Sequence, residues 1–197
     1  MFNVIAKKYG DPDILIYEEA NSQNLNPHSV RMQVKSIGVN FADILIIKGR
    51  YQERPRPPFS PGLEVSGIIS EIGSYVKKFK VGDKVMSIMK YGGYKTEVVV
   101  PQENTYFMPQ GMGLIEAGGF PVTYGTAFSA LIKKAKLKKN EICVILGATG
   151  GVGMAAIEIA KAYNSIVIAC GGNDKKLLEC LNKGADYILN YNNKILR

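Results

Sequence analysis

The first 120 residues contain short stretches in which apolar and polar side chains alternate. The segment VRMQVKSIGV, at residues 30–39, has the period of two that is typical of a strand with one buried face. Two further strand-like runs, VSGIISEIG and VGDKVMSI, are separated by a turn, and YKTEVVV at residues 94–100 ends at Pro101. The four prolines of RPRPPFSP, at residues 54–61, predict a stiff exposed loop, because proline fixes φ and lacks an N–H donor.

The pattern changes at about Leu114. Apolar residues then recur at helical spacing, which predicts helices over residues 114–119 and 124–136. Strands are predicted after these helices at residues 142–146, 166–170 and 187–191, with helices at residues 154–163 and 175–183 between them. A β-α-β-α-β order predicts a parallel sheet with right-handed crossovers.

A glycine-rich loop joins the first of these strands to the first helix. In VILGATGGVG, at residues 144–153, the glycines follow the spacing Gly147-x-x-Gly150-x-x-Gly153, a variant of the dinucleotide-binding fingerprint. A pyrophosphate is bound by bare backbone N–H groups at a helix N-terminus, and side chains would obstruct that approach. The loop is therefore predicted to bind a dinucleotide, and the alternative is a structural glycine turn.

The end of the second strand bears on the choice of cofactor. NAD-preferring sites place an Asp or Glu there, whereas this chain has CGGN at residues 170–173, and Asp174 comes late, ahead of Lys175 and Lys176. A small polar residue and a lysine suit a 2′-phosphate, so the sequence favours NADPH over NADH. The alternative for the lysines is a solvated first helical turn.

Charge and composition narrow the classes of protein. Apolar residues make up 46% of the 197 residues and charged residues 21%, which is ordinary for a globular domain. The net charge of +8 permits an acidic ligand or a nucleic acid, but the chain has no RNA-binding aromatic motif and no arginine cluster, and the alternative is a lysine-rich solvated surface. Neither a signal-peptide core nor a membrane-spanning run is evident, so the expected location is the cytoplasm.

Cysteine and histidine are too sparse to predict a metal site. Cys143, Cys170 and Cys180 form no C-x-x-C pair, and two of them lie in or beside apolar runs, which predicts buried free thiols. His28 is the single histidine and lies in a turn-like stretch, which argues against a Ser-His-Asp hydrolase. No zinc ligand set is therefore expected.

The segment GIISEIGSYVKKFKVGDKV, at residues 67–85, resembles the signature of medium-chain dehydrogenases/reductases, G-x-V-x-x-x-G-x-x-V-x-x-F-x-x-G-D-x-V, with Ile at the first Val. Five further segments are similar to its quinone oxidoreductase, or zeta-crystallin-like, branch: GVNFADILIIKGRYQ (38–52), PFSPGLEVSG (58–67), VTYGTAFSAL (122–131), GATGGVG (147–153) and GADYILNY (184–191). The resemblance covers essentially the whole chain, in the family's order.

The resemblance also indicates which reaction to expect. Zinc-dependent relatives have a cysteine ligand where this chain has Asn40, a G-H-E where it has GLE at residues 62–64, and a four-cysteine lobe that it lacks. The resemblance therefore implies zinc-independent reduction of a small quinone or conjugated enone by hydride transfer from NADPH. The alternative enzyme is an enoyl thioester reductase of the same superfamily.

The resemblance assigns roles to three residues of the catalytic half. Asn40 would position substrate or nicotinamide, Asp43 would order the loop, and Tyr51 would donate a hydrogen bond in the substrate pocket. The alternatives are helix capping for Asn40 and Asp43 and simple packing for Tyr51. Glu64 is interpreted as structural, holding a turn or pairing with a cation.

The remaining assigned residues would bind the cofactor. They are Thr123 and Thr126 beside the nicotinamide, Gly150, Gly151, Val152 and Gly153 around the pyrophosphate, Asn173 and Lys176 at the adenosine phosphate, and Tyr191 at the adenosine half. The two threonines alternatively cap the helix predicted at residues 124–136, and Tyr191 is alternatively an ordinary strand aromatic.

The fold implied is α/β: a β-rich GroES-like catalytic domain at residues 1–122, followed by the first half of a Rossmann doubly wound sheet at residues 123–197. Family members exceed 300 residues, and the resemblance implies that the full-length proteins are homodimers. The second Rossmann half and a C-terminal return to the catalytic domain are absent here, which predicts a reductase fragment whose first parallel strand lacks neighbours on one side. The non-enzymatic alternative is a fragment that binds nucleotide or RNA.

Overall fold

A computed structural model describes residues 1–193 of the chain. The chain forms two compact units, with the boundary between Pro121 and Val122. Unit 1 precedes the boundary and unit 2 follows it.

Unit 1 is built from antiparallel strands. A hairpin joins β1 (Phe2–Ile5) to β2 (Ile16–Glu19), and a separate sheet has the order β6-β3-β4-β5-β7. Its strands are β3 (Ser29–Ile37), β4 (Glu64–Ile72), β5 (Lys84–Ile88), β6 (Glu97–Pro101) and β7 (Thr105–Phe107). Two short α-helices, α1 (Phe41–Ile47) and α2 (Leu114–Gly118), accompany the sheet, with 3₁₀ turns at Pro12–Ile14 and Gln102–Asn104.

The centre of the larger sheet holds the core of unit 1. Val30 and Met32 of β3 are fully buried and pack with Val65 and Ile69 of β4. The alternating pattern predicted at residues 30–39 is thus confirmed as a strand with one buried face as far as Ile37, where β3 ends. Burial of these side chains is the main force that stabilises the sheet, because each removes apolar surface from water.

Unit 2 contains a three-stranded parallel sheet with the order β10-β9-β8. Its elements are β8 (Ile142–Leu146), α4 (Gly151–Ala162), β9 (Ile166–Gly171), α5 (Asp174–Asn182) and β10 (Tyr187–Asn190). They are preceded by α3 (Phe120–Phe128), which spans the boundary, and by a π-helical segment at Ser129–Lys134. The predicted β-α-β-α-β order and its parallel pairing are confirmed.

The two faces of β8 differ in environment. Cys143 and Ile145 are buried in a core that includes Ile157 of α4 and Leu177 of α5. The alternate residues Ile142, Val144 and Leu146 are 63%, 56% and 69% exposed, and we call them the open face. The sequence predicted a strand at residues 142–146 that lacks neighbours on one side, and within the described residues no element covers the open face.

Helix boundaries depart from the sequence prediction. The helix predicted at residues 124–136 starts earlier, at Phe120, and passes into π geometry at Ser129. The helix predicted from residue 154 begins at Gly151, since the loop glycines form its first turn. The hydrophobic pattern did not predict α1, whose sequence FADILII is too short and too apolar to show a helical period. Across residues 1–193, none of the helices combines the length and hydropathy needed to cross a bilayer.

Candidate functional site

The first cluster of assigned residues lies at the start of α1. Asn40 is the N-cap residue and forms a capping box with Asp43, whose Oδ2 accepts a hydrogen bond from the backbone N–H of Asn40 at 2.7 Å. Such a box satisfies N–H groups that the first helical turn leaves without internal partners. Both residues therefore make the helix-capping contacts that were the alternative interpretation of them.

Asp43 makes two further contacts inside unit 1. Its Oδ1 accepts a hydrogen bond from the backbone N–H of Gly62 at 3.1 Å, and its Oδ2 accepts one from the Tyr94 hydroxyl at 3.3 Å. Burial raises the pKa of Asp43 although these hydrogen bonds act in the opposite direction. Burial, with the nearby Asp43 charge, also raises the pKa of Tyr94. The carboxylate is thus a buried acceptor that joins three segments of chain.

Asn40 also contacts Glu64, the first residue of β4. The Asn40 Nδ2 donates to Glu64 Oε1 at 2.8 Å, and Glu64 is 1% exposed. A Cβ at Gly38 would overlap the Glu64 carboxylate, so the glycine makes room for it. The sequence analysis interpreted Glu64 as a structural residue that holds a turn or pairs with a cation. The structure shows that the Asn40 side-chain amide is also a partner of Glu64.

Tyr51 lies in a bend beyond α1 and is half-buried. Its backbone carbonyl accepts a hydrogen bond from Arg54 Nε at 3.1 Å. Within residues 1–193, its hydroxyl has no hydrogen bond to Asn40 or Asp43. The structure therefore brings Asn40 and Asp43 together, and Tyr51 is not bonded to them.

In unit 2 the glycine loop leads directly into the N-terminus of α4. Gly147 has φ +66°, a conformation that favours glycine, and Gly150 is the N-cap of α4. A Cβ at Gly153 would lie 2.6 Å from the Cα of Ala148, so this glycine permits close packing of helix against loop. A Cβ at Gly147 would meet nothing within 4 Å, and one at Gly150 would meet a single atom, at 3.5 Å. We call this open space before Gly147 and Gly150 the glycine cradle.

The two threonines lie inside α3 and not at its start. A Cβ at Gly151 would lie 3.1 Å from Thr123 Cγ2, so Thr123 packs against the glycine loop. Thr126 is exposed. The alternative that these threonines cap a helix at residue 124 is wrong, because α3 already begins at Phe120.

The end of β9 and the start of α5 gather the adenosine-side residues. Asn173 is the N-cap of α5, and its Oδ1 accepts a hydrogen bond from the backbone N–H of Lys176 at 3.1 Å. A Cβ at Gly172 would lie 3.1 Å from Tyr191 Cε2, so the Tyr191 ring lies beside that glycine. Asp174 accepts a hydrogen bond from Asn190 Nδ2 at 2.7 Å. Asn173, Lys176 and Tyr191 thus lie around one end of the parallel sheet.

Sequence reasoning missed a network behind the glycine loop. The hydroxyl of Tyr124 donates to Glu158 Oε2, and Lys183 Nζ lies 2.6 Å from Glu158 Oε1. Burial acts to raise the pKa of Glu158, but the bonds to Lys183 and Tyr124 outweigh it and lower the pKa. Burial and the bond to Glu158 raise the pKa of Tyr124 to about 12. No local pattern signals these contacts, because 34 and 25 residues separate the partners.

Metal-binding groups are not assembled in the part of the chain that the structure describes. Across residues 1–193, no cluster of three or more His, Cys, Asp or Glu side chains has the geometry to hold a metal ion.

Comparison with known proteins identifies the family. The model of the alcohol dehydrogenase GroES-like domain matches residues 26–120. The chain is 37% identical over 184 residues to quinone oxidoreductase-like protein 2 of Bos taurus, a match that covers 93% of this chain and 53% of that protein. The chain thus spans about half the length of the curated relatives it matches.

Two solved structures have the same fold. Quinone oxidoreductase of Escherichia coli, complexed with NADPH, matches with a TM-score of 0.91 and 29% identity, over 100% of this chain and 60% of that one. CurK enoyl reductase matches with a TM-score of 0.88 and 26% identity, over 96% and 59%. The GroES-like unit, the parallel β-α-β-α-β unit and these relatives agree, and the chain belongs to the medium-chain dehydrogenase/reductase superfamily, in its quinone oxidoreductase branch.

Proposed function

We propose that this protein reduces a small quinone or conjugated enone by zinc-independent hydride transfer from NADPH. The glycine cradle is the observation that carries the proposal, because it places open space at the N-terminus of a helix of 12 residues. The partial positive charge of a helix N-terminus favours phosphate there. The E. coli relative named above was solved as a complex with NADPH, which supports the choice of cofactor.

Unit 2 would hold the cofactor, whose chemical contribution is a hydride. The backbone N–H groups of Gly150, Gly151, Val152 and Gly153 would bind its pyrophosphate, Thr123 and Thr126 would lie on its nicotinamide side, and Tyr191 would contact the adenosine half. Asn173 uses its Oδ1 to cap α5, which leaves its Nδ2 as a donor for the 2′-phosphate. Lys176 would add the positive charge that distinguishes this phosphate from a hydroxyl.

Unit 1 would supply the groups that act on the acceptor. When a hydride adds to an electron-poor quinone or enone, negative charge collects on the carbonyl oxygen, which later takes a proton. Hydrogen-bond donors aimed at that oxygen lower the barrier. Asn40 and Tyr51 are the donors proposed here, and Asp43 holds the loop that carries Asn40.

The first test is a titration of the 197-residue chain against NADPH and NADH, followed by the fluorescence of the reduced nicotinamide. We expect saturable binding that is tighter for NADPH. The Lys176→Ala variant is expected to weaken NADPH binding about tenfold and to leave NADH binding nearly unchanged, since a charge-assisted bond to the 2′-phosphate is lost. Lys175→Ala is the matched control from the same helical turn.

Equal affinity of the wild-type chain for both cofactors would contradict the NADPH assignment. If the wild-type chain bound neither cofactor, this would contradict the proposal that unit 2 alone is sufficient to bind it.

Reduction of an enoyl thioester is the second candidate, favoured by the match to CurK enoyl reductase. Turnover of crotonyl thioester in preference to cyclohex-2-enone and a simple quinone would select this candidate over the first.

A further inference from the structure

Glu64 contacts one of the proposed donors from inside unit 1. Its carboxylate is 1% exposed and lies over Gly38, the position at which a Cβ would overlap it. The backbone N–H of Gly38 donates to the Glu64 carbonyl at 3.2 Å, which fixes the two segments against each other. The carboxylate therefore has little freedom to move away from Asn40.

The contact fixes the orientation of an amide that is nearly symmetric in shape. An Asn side chain presents a carbonyl oxygen at one end and an amino group at the other, and the two ends have similar size. The end that faces Glu64 is the amino group, which donates from Nδ2 to Glu64 Oε1 at 2.8 Å. One N–H of Asn40 is used in this way.

The second N–H of Asn40 remains for another partner. Asn40 is half-buried, and no hydrogen bond is found for this N–H within the described residues. The capping box with Asp43 holds the Asn40 backbone, so the side chain is restrained at its base as well as at its tip. Because the Asn40 side chain is restrained at its base and at its tip, its second N–H points in one direction.

We propose that Glu64 is a positioning residue, which holds the Asn40 carboxamide in one of its two orientations so that the second N–H donates to the carbonyl oxygen of the acceptor. The inference rests on the proposed function, and it identifies Glu64 as the residue that orients the proposed hydrogen-bond donor, Asn40. Glu64 itself acts through Asn40.

The experiment follows the Asn40 side-chain amide by NMR in the 197-residue chain, without cofactor. The two Nδ2 protons are assigned by their disappearance in Asn40→Asp. In wild type we expect one proton to exchange slowly, because it is bonded to Glu64, and the other to shift when cyclohex-2-enone is added. Glu64→Gln can accept from Asn40 or donate to it, so it no longer selects one orientation, and it is expected to speed the slow exchange and to weaken the enone response about tenfold. The control from the same strand is Glu71→Gln, whose exposed carboxylate pairs with Arg31.

The double variant Asn40→Asp with Glu64→Gln separates orientation from simple stability. It re-forms the hydrogen bond with reversed polarity, because the amide donor then lies on β4 and the carboxylate acceptor lies at the start of α1. We expect its thermal unfolding midpoint to recover toward wild type, while its enone affinity does not recover, since the carboxylate introduced at the start of α1 has no N–H. Recovery of both together would show that the Asn40 N–H does not contact the enone, and would overturn the proposal. If Glu64→Gln does not fold, this double variant carries the test.

Two outcomes would overturn the proposal. One is an enone response of equal strength in wild type and Glu64→Gln. The other is an enone shift that spares the Asn40 amide in wild type. The NADPH titration described above reports separately on the cofactor, so a wild type that binds NADPH but fails here refutes the roles given to Asn40 and Glu64 and leaves the cofactor assignment standing.

Discussion

Asp43 is a residue of the candidate site whose carboxylate is engaged by other groups of unit 1. It accepts hydrogen bonds from two backbone N–H groups, of Asn40 and Gly62, and from the Tyr94 hydroxyl. An acceptor with three donors around it cannot be replaced by a group that itself donates. Asp43 therefore holds the loop that carries Asn40.

Replacing Asp43 with Asn is expected to lower the free energy of unfolding by about 2–4 kcal/mol, because the new NH₂ group faces donors and leaves buried groups unpaired. Urea denaturation measures the change. Asp13→Asn, at an exposed position, is the control and should change stability little. A loss in Asp43→Asn no larger than that of the control would show that the three contacts contribute little.

Single residues were predicted where backbone geometry demands a residue type. The glycines at 147 and 153 and the Asn-Asp pair at the start of α1 belong to local motifs, so the sequence displays them. Tyr94 and Glu64 lie 51 and 24 residues away from their partners, and no local pattern links the pairs. Their contacts come from the pairing of strands that are distant in the chain.

At the scale of elements, unit 2 depends on an ion-paired network between helices. Glu158 of α4 accepts from Tyr124 of α3 and pairs with Lys183, which follows α5. Three helices are therefore tied at one carboxylate. Since Thr123 precedes Tyr124 and packs against Gly151, the network also holds α3 against the glycine loop.

The network predicts a pH dependence of stability. The pKa of Glu158 is lowered in the folded chain from an ordinary value of 4.5, so its stabilising effect is complete above that value and is lost as the pH falls through the lowered pKa. Glu158→Gln should therefore be less stable than wild type at pH 7, and the difference should shrink below about pH 4.5. Urea denaturation at several pH values measures this difference in the free energy of unfolding. Glu179→Gln, from α5, is the control.

A difference between wild type and Glu158→Gln that stays constant down to pH 3 would contradict this account. Tyr124→Phe gives an independent check, because it removes one hydrogen bond and leaves the ion pair with Lys183 in place.

Elements with a long, clear period were predicted well, and those shaped by close packing were not. The alternation of strands and helices in unit 2 follows from its hydrophobic period. The start of α4 was missed by three residues because its first turn is built from glycines, which have low helix propensity. The π-helical geometry of Ser129–Lys134 could not be predicted from the pattern of apolar residues.

At the scale of the whole molecule, the open face of unit 2 dominates the expected behaviour in solution. Ile142, Val144 and Leu146 present apolar side chains to solvent, and the outer edge of β8 pairs with no strand within residues 1–193. Large apolar patches and unpaired strand edges promote association. We expect the 197-residue chain to self-associate at micromolar concentration, as measured by sedimentation velocity.

The double variant Val144→Thr with Leu146→Thr should shift the chain toward monomer, because threonine retains strand propensity while reducing apolar surface. Val81→Thr with Ile115→Thr is the matched control, since both side chains are exposed apolar groups in unit 1. Equal association of the two double variants would exclude the open face as its cause.

The burial of all three cysteines has a chemical consequence for a protein of this proposed function. Cys143, Cys170 and Cys180 are each at most 8% exposed, and burial raises the pKa of each thiol. Quinones are electrophiles that add to thiolates, and a buried, protonated thiol is a poor nucleophile. The chain therefore carries a built-in tolerance to arylation, and its own sulfur is kept from reacting with the compound it is proposed to reduce.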